Sequence, residues 1–203
     1  MKVVIVDYKM GNTHSLCGAL GYLGIDQAVI SNKANEIVSA DKLILPGVGA
    51  FNKAMQNIKE MRLDDYLHSA IIEKKTPALG ICLGMQLMGL SSTENGYHAG
   101  LGYIEGKVNA IDNKNTKVPH VGFNQVIVNK KSKLYRDMDC MMDFYFTHSF
   151  KMESDSNINP CFCYYDSPFI ASYEKDNIAG VQFHPELSQR NGLKLIKNFL
   201  EQF

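Results

Sequence analysis

The sequence predicts an α/β fold with three layers, in which helices cover both faces of an open, mostly parallel sheet that antiparallel strands extend in the C-terminal half. Residues 2–7 contain an uninterrupted apolar run, as expected of a strand covered on both faces of a parallel sheet. Helical patterns then alternate with further short apolar runs, the order typical of parallel α/β proteins. After Tyr103 the chain changes to short β-rich segments separated by Asn, Asp, Lys and Ser, which predict the antiparallel strands.

Each predicted element follows from local spacing. A helix is predicted over 12–23 and ends at Gly24, since glycine adopts the left-handed conformation that closes helices. The other elements of the first half are strands over 27–30 and 42–45, a helix carrying Phe51, Met55 and Ile58, a helix over 63–73, and a strand over 76–79. The second half adds β-rich segments over 103–111, 118–128, 143–150, 160–164, 168–174 and 178–183, and an amphipathic helix over 191–203. We find no repeat, linker or low-complexity tract, so residues 1–203 are expected to form one domain.

Composition and charge argue against several functional classes. The chain carries 21 Lys+Arg and 21 Asp+Glu, a balance that argues against binding nucleic acid or an anionic membrane through bulk charge. No run is long enough for a membrane span, and the first strand begins at residue 2, so no signal peptide is expected. The five cysteines form no regular framework, and Cys161-x-Cys163 is too tight and isolated for zinc; it is expected to alternate along a strand. We therefore expect a cytosolic protein with no metal and no cofactor.

A cysteine flanked by glycines is the strongest chemical signal. Cys82 lies midway between Gly80 and Gly84, after the apolar run 76–79 and before a helical segment. Glycines at these two positions permit the tight strand-to-helix turn that presents a nucleophile. The N-terminal end of the helix favours the thiolate, and the amide of Leu83 points to where an oxyanion would form. The pattern predicts a nucleophilic cysteine in preference to a buried structural one.

A second segment supplies partners for that nucleophile. The β-leaning run 178–183 ends in His184-Pro185-Glu186. Residues two apart on an extended segment face the same side, so His184 and Glu186 can face one site. Imidazole serves as a base near neutral pH, and a carboxylate behind it fixes its tautomer. Alone, His184 could be a loop histidine at a strand end; together with Cys82, the spacing predicts a Cys-His-Glu triad.

The loop Pro46-Gly47-Val48-Gly49 follows a predicted strand and precedes a helix, so little side-chain bulk covers its amides. A phosphate cradle is one interpretation, but a P-loop would need Lys-Ser/Thr after the glycines. A simple strand-to-helix turn explains one glycine more easily than two. Gln86 lies one helical turn beyond Cys82 on the same side, where its amide could bind an ammonium or a carboxylate.

These motifs resemble those of a known superfamily. Segments 46–51, 80–86 and 183–186 are similar to the three signatures of triad-type glutamine amidotransferases. Within that superfamily the chain is most similar to the glutaminase subunits of imidazole glycerol phosphate synthase, through segments 7–12, 118–125, 146–150 and 188–189. The resemblance runs from residue 2 to about residue 200 in the family's order and spacing.

The resemblance implies a function and a partner. The expected reaction is hydrolysis of glutamine to glutamate and ammonia. The ammonia would be channelled to a separate (β/α)8-barrel synthase subunit in a heterodimer that makes imidazole glycerol phosphate and AICAR in histidine biosynthesis. It also implies site residues: an oxyanion hole of Val48, Gly49 and Leu83; glutamine contacts at Gln86, Glu94, Ser149 and Phe150; and a partner interface at Asn12, Pro119, Phe123, Asn124, Tyr145 and Leu187. A surface role is the alternative for Glu94, and His148 is interpreted as structural because His184 already fills the base position.

Two residues depart from the expected pattern. Phe123 stands where tryptophan is usual, and Leu187 stands where a lysine that faces the partner usually follows the triad glutamate. These departures leave open a related glutaminase subunit that supplies ammonia to a sugar amidotransferase for surface polysaccharide. A cysteine peptidase-like hydrolase and a non-enzymatic regulatory subunit are more remote alternatives.

Overall fold

The computed structural model describes residues 1–25, 27–112, 114 and 116–203. The strands are β1 Val3–Val6, β2 Val29–Ser31, β3 Lys42–Leu45, β4 Ala78–Ile81, β5 Ser91–Ser92, β6 His98–Ala99, β7 Lys107–Ala110, β8 His120–Ile127, β9 Met141–His148, β10 Phe150–Glu153, β11 Cys161–Tyr165, β12 Ser167–Lys175 and β13 Ile178–Val181. The helices are α1 Thr13–Tyr22, α2 Ala34–Val38, α3 Phe51–Glu60, α4 Leu63–Leu67, α5 Leu83–Leu87 and α6 Gln189–Gln202. A π-helical segment, His68–Glu73, continues α4, and a 3₁₀ turn, Pro185–Leu187, precedes α6.

A large mixed sheet organises the chain. Within the described residues it has nine strands in the order β2-β1-β3-β4-β13-β12-β11-β8-β9. The strands from β2 to β13 pair in parallel, and those from β13 to β9 pair antiparallel. The predicted α/β fold class, with a parallel sheet extended by antiparallel strands, is therefore confirmed.

Two strand placements differ from the prediction. Segment 178–183, expected among the antiparallel additions, forms β13, which pairs in parallel with β4 near the centre of the sheet. All four residues of β13 are buried, which suits a strand covered on both faces. Segment 103–111 does not extend the main sheet, because its strand β7 pairs with β10 and β5 in a smaller sheet. The partly exposed pattern of β7 suits that peripheral position.

The central strands bury side chains on both faces because successive residues of a strand point to opposite sides. In β1, Val4 and Val6 join a core cluster with residues of α2, α3, α4 and α5, whereas Val3 and Ile5 join a second cluster with α1 and α6. This arrangement gives the three predicted layers.

The short helix α2 was not predicted, since five residues give too little periodicity to recognise. In the part of the chain that the structure describes, no helix is long and apolar enough to cross a membrane.

The topology collects three loops at one edge of the sheet. The strands β3, β4 and β13 are parallel neighbours, so their carboxyl ends meet. The loop 46–50 follows β3, Cys82 follows β4, and His184 lies just beyond β13. This edge is where open α/β sheets position ligands.

Candidate active site

Cys82 occupies the turn between β4 and α5 in a strained backbone conformation. Its φ of 51° and ψ of −107° lie outside the regions that non-glycine residues favour. The Cys82 amide donates to the carbonyl of Val181 at 2.7 Å, which fastens the turn to β13. The side chain is 7% exposed. The sharp turn predicted at this cysteine is therefore present, although α5 is only five residues long.

Close backbone packing explains the two glycines beside Cys82. A Cβ atom at Gly84 would lie 1.9 Å from the carbonyl oxygen of Leu45 in β3, and one at Gly80 would lie 2.6 Å from the amide nitrogen of Met85. Both contacts are with backbone atoms, which side-chain motion cannot relieve. Glycine is thus required at both positions for the turn to close.

The structure brings His184 and Glu186 together beside Cys82. His184 Nδ1 and Glu186 Oε1 are 2.9 Å apart, and the two side chains are only 3% and 4% exposed. With Nδ1 engaged, Nε2 is the nitrogen left for Cys82, and it has no hydrogen-bond partner among the described residues. Burial alone would lower the pKa of His184, but interactions with Cys82 and Glu186 outweigh it and raise the pKa to about 10. The imidazolium form is therefore favoured at neutral pH.

A pocket of about 390 Å³ opens over the nucleophile. Its lining includes the predicted oxyanion-hole and glutamine-contact residues, together with Pro119, Thr147 and His148: Val48, Gly49, Leu83, Gln86, Glu94, Ser149 and Phe150. The volume suits a small ligand such as an amino acid, which would lie against Cys82 at the floor.

The loop 46–50, which follows β3, packs directly against the elbow, the turn between β4 and α5 that carries Cys82. A Cβ at Gly47 would lie 2.6 Å from Leu83 Cβ, so the loop could not approach α5 with any other residue there. Gly49 has a φ of 105°, a conformation that favours glycine. Among the described residues we find no hydrogen bond from the amides of Val48, Gly49 or Leu83. These three amides are thus not engaged by other groups of the described chain.

Gln86 is buried on α5, and its amide nitrogen is fully used within the chain. Nε2 donates to the carbonyl of Phe150 and to Oε1 of Gln182, both at 3.0 Å. The side-chain group left for a ligand is Oε1, an acceptor. Of the two partners that the sequence left open for Gln86, the geometry favours an ammonium or amide N–H over a carboxylate.

Comparison with known proteins agrees with this geometry. Residues 4–203 match the family model described as glutamine amidotransferase class-I. The chain is 43% identical over 202 residues to imidazole glycerol phosphate synthase subunit HisH 2 of Vibrio vulnificus, covering 99% of this chain and 94% of the relative. It is 41% identical to subunit HisH 1 of Campylobacter jejuni, covering 98% of each chain. This chain belongs to the class-I glutamine amidotransferases. The resemblance to the glutaminase subunits of imidazole glycerol phosphate synthase is also confirmed.

Solved structures show the same fold. A crystal structure described as glutamine amidotransferase aligns with a TM-score of 0.77 at 18% identity, covering 98% of this chain and 97% of that one. The structure of PurLQS from Thermotoga maritima aligns with a TM-score of 0.71 at 17% identity, covering 99% and 98%. At such identities the likeness concerns the fold alone.

Two of the residues predicted to contact glutamine also accept hydrogen bonds from other parts of the chain. The Glu94 carboxylate accepts a hydrogen bond from the amide of Phe51 at 2.8 Å, which caps the start of α3. It nevertheless lines the pocket, so one carboxylate can hold the helix and face a ligand. The Ser149 carbonyl accepts from the amide of Ile111 at 2.9 Å. The carbonyls at 149 and 150 are thus engaged within the chain.

The residues predicted to face the partner occupy several elements. Phe123 on β8 is 52% exposed, and its ring contacts Tyr145 of β9 with centroids 5.5 Å apart. Leu187, in the turn before α6, is 39% exposed. Asn12 is exposed and caps α1 by accepting from the Ser15 amide at 3.4 Å. Pro119 is an exposed residue at the pocket rim.

Asn124 differs from the other residues of this set because its side chain is engaged within the chain. Its Nδ2 lies 3.1 Å from the carbonyl of Tyr164 and 3.4 Å from Nε2 of His120. His120, to which the sequence assigned no role, is only 2% exposed, and its Nδ1 lies 3.0 Å from Nε2 of His148.

The sequence also gave no indication of a role for Gln182, whose Nε2 donates to the Cys82 sulfur at 3.5 Å. Its neighbour Phe183 begins a recognised motif, but nothing in the sequence indicates that Gln182 reaches the Cys82 sulfur.

Proposed function

We propose that this chain is the glutaminase subunit of imidazole glycerol phosphate synthase, and that it hydrolyses glutamine to glutamate and ammonia. The observation that carries the proposal is the buried His184–Glu186 pair, 2.9 Å between Nδ1 and Oε1, beside a cysteine on a strained turn. A carboxylate–imidazole–cysteine arrangement is what nucleophilic attack on an amide requires.

Catalysis begins with attack of Cys82 Sγ on the side-chain amide carbon of glutamine. Because the imidazolium is favoured, His184 already holds the thiol proton when the sulfur attacks; it delivers this proton to the departing ammonia, while Glu186 holds the ring orientation. The raised pKa of His184 suits this acid step, because the imidazolium is present when the leaving group needs a proton. Water deprotonated by His184 then attacks the thioester carbon, and glutamate leaves with Cys82 regenerated.

The oxyanion of both tetrahedral intermediates would lie against the unengaged amides of Leu83 and of the Val48–Gly49 loop. One such donor contributes about 10²–10³ to the rate. Gln86 Oε1 and the Glu94 carboxylate would bind the ammonium of glutamine, since both are acceptors on the pocket wall. The backbone at Ser149 and Phe150 completes the pocket around the amino-acid end.

Ammonia is useful only if an enzyme receives it. We propose a heterodimer with a (β/α)8-barrel synthase subunit, in the cytoplasm, with residues 1–203 acting as one glutaminase domain. The relatives from Vibrio vulnificus and Campylobacter jejuni are named as subunits of imidazole glycerol phosphate synthase, which supports this partner and the histidine pathway. The exposed Phe123 and Leu187, which depart from the expected pattern, favour a second candidate: a subunit feeding a sugar amidotransferase.

The proposal is tested by replacing Cys82→Ala and measuring glutamate release from glutamine with the synthase partner present. We expect activity to fall to background, while Cys140→Ser, at an exposed cysteine far from the pocket lining, retains it. Glutamate release by Cys82→Ala at a wild-type rate would refute the assignment. Cleavage of a peptide bond, with no glutamate released from free glutamine, would instead favour a peptidase-like hydrolase.

A further inference from the structure

Gln182 contacts the sulfur of Cys82 from a fully buried position at the end of β13. Its Nε2 donates to Sγ at 3.5 Å, and its Oε1 accepts from Nε2 of Gln86 at 3.0 Å. The Gln182 backbone amide donates to the carbonyl of Ala171 at 2.8 Å, so the residue is also fixed through its main chain. A donor at the sulfur stabilises the thiolate, the form that attacks.

A continuous series of hydrogen bonds extends from Gln182 to Asn124 on β8. Gln86 Nε2 donates to the Phe150 carbonyl at 3.0 Å, and the same carbonyl lies 2.8 Å from Nδ1 of His148. Nε2 of His148 lies 3.0 Å from Nδ1 of His120, and Nε2 of His120 lies 3.4 Å from Nδ2 of Asn124. We call this series the amide–imidazole relay; its members are Gln182, Gln86, Phe150, His148, His120 and Asn124.

The hydrogen bonds of the relay converge on the Phe150 carbonyl, which accepts from Gln86 on one side and from His148 on the other. The Phe150 carbonyl can only accept, so Nδ1 of His148 carries its proton and Nε2 accepts. Nδ1 of His120 is then the donor, and its Nε2 accepts from Asn124. Both rings must be neutral, and burial lowers the pKa of His148 to about 3 and that of His120 to about 4.

The orientation of the Gln182 amide is therefore determined by its surroundings. If the amide were reversed, its oxygen would face the sulfur and its NH₂ would face the NH₂ of Gln86, placing donor against donor. The carbonyl of Phe150 holds that Gln86 nitrogen in place from the other side. We propose that Gln182 is a positioning residue for the Cys82 nucleophile, and that the relay holds its amide in the donating orientation by fixing the Phe150 carbonyl to which Gln86 donates.

This inference rests on the proposed function, since it assumes that Cys82 is the nucleophile. The test is the rate of Cys82 alkylation by iodoacetamide as a function of pH, with the modified residue located by mass spectrometry. Alkylation requires no glutamine and no partner. If wild-type Cys82 is not the preferred site, the proposed function fails; if it is, but Gln182 variants react normally, only this inference fails.

Gln182→Met removes the donor while preserving length and neutrality. We expect the midpoint of the alkylation profile to rise by about one to two pH units, because a hydrogen bond to a charged group is lost. Gln182→Glu keeps an acceptor for Gln86 but places a carboxylate at the sulfur, and should shift the midpoint at least as far. An unchanged midpoint in whichever of these variants folds, as judged by circular dichroism, would overturn the positioning role.

The remote part of the relay is tested with a matched pair at His120. His120→Asn retains an N–H donor where Nδ1 lies, whereas His120→Leu removes it. We expect His120→Leu to shift the Cys82 midpoint in the same direction as Gln182→Met but by less, and His120→Asn to restore most of the wild-type profile. Equal profiles for the two variants would overturn the role of the relay.

Discussion

The two halves of the large sheet build the site by different means. In the parallel half, backbone packing determines the nucleophile turn: glycine is required at residue 84 by the Leu45 carbonyl, and Cys82 is strained. In the antiparallel half, side-chain hydrogen bonds position the pocket wall: His148 lines the pocket and is held by the Phe150 carbonyl and by buried His120. The comparison shows that a nucleophile can be fixed by local backbone geometry while its surroundings depend on contacts between distant segments.

The largest effect should come from breaking the packing of the parallel half. Gly84→Ala places a Cβ 1.9 Å from the Leu45 carbonyl oxygen, and overpacking of this kind costs about 1–3 kcal/mol or more. We expect a melting temperature lower by roughly 2–4 °C per kcal/mol, with glutaminase activity lost because the elbow shifts. The measurements are thermal unfolding and glutamate release.

The matched control for this prediction is Gly18→Ala, in α1, where a Cβ would meet no atom within 4 Å. It should leave activity intact and stabilise the protein by about 0.5–1 kcal/mol, the usual difference between alanine and glycine inside a helix. Equal losses at both positions would show that the elbow is not specially constrained.

Partner binding could act on the parallel half through the loop after β3, which carries the Val48 amide. If the Val48 amide must turn toward the oxyanion, the isolated chain should be a poor glutaminase. Adding the synthase subunit and its substrate should accelerate glutamate release by roughly 10²–10³, the contribution of one oxyanion donor. Equal turnover with and without the partner would mean that the hole is already formed.

The buried histidines of the antiparallel half should make the free energy of unfolding depend on pH. The pKa of His148 is lowered to about 3 and that of His120 to about 4, so below pH 6.5 the unfolded chain binds more protons than the native chain. The free energy of unfolding should fall on acidification from pH 6.5 to about 4, by up to about 1.4 kcal/mol per pH unit for His148. His148→Gln should flatten this dependence in urea unfolding, while exposed His14→Gln should not.

His184 acts in the opposite direction and in another pH range. Its pKa is raised to about 10, so the native chain holds a proton that the unfolded chain releases above pH 6.5. The stability that this proton provides is complete below pH 6.5 and is lost as the pH rises toward 10. A stability maximum well above pH 8 would contradict the assignment for His184.

The smallest expected effect concerns the partner surface. Leu187→Lys restores the lysine usual in the resembled family, at a position that is 39% exposed. If the partner is a histidine-pathway cyclase with a facing carboxylate, binding should tighten by up to about fivefold, as exposed ion pairs contribute about 0.2–1 kcal/mol. The measurement is the dissociation constant of Leu187→Lys against candidate partners; weaker binding would indicate an apolar facing surface and argue against a histidine-pathway cyclase.

The sequence was informative where structure is local. The elbow at Cys82 and the His184–Glu186 pair depend on residues within a few positions of each other, so spacing alone predicted them. The His120–His148 contact joins residues 28 apart in sequence, and Gln182 reaches Cys82 across 100 positions. Such contacts are created by strand pairing and have no local pattern. The misplaced strand β7 has the same cause, because propensity predicts a strand but not the sheet it joins.

The proposed glutaminase activity depends on attack by Cys82, positioned beside His184, on the side-chain amide carbon of glutamine. Its most direct test is to treat the full chain with a chloroketone analogue of glutamine and to map the adduct by peptide mass spectrometry. We expect one adduct, on Cys82, which free glutamine prevents from forming. An adduct mainly on Cys17 or Cys140, or labelling of Cys82 that glutamine does not reduce, would contradict it.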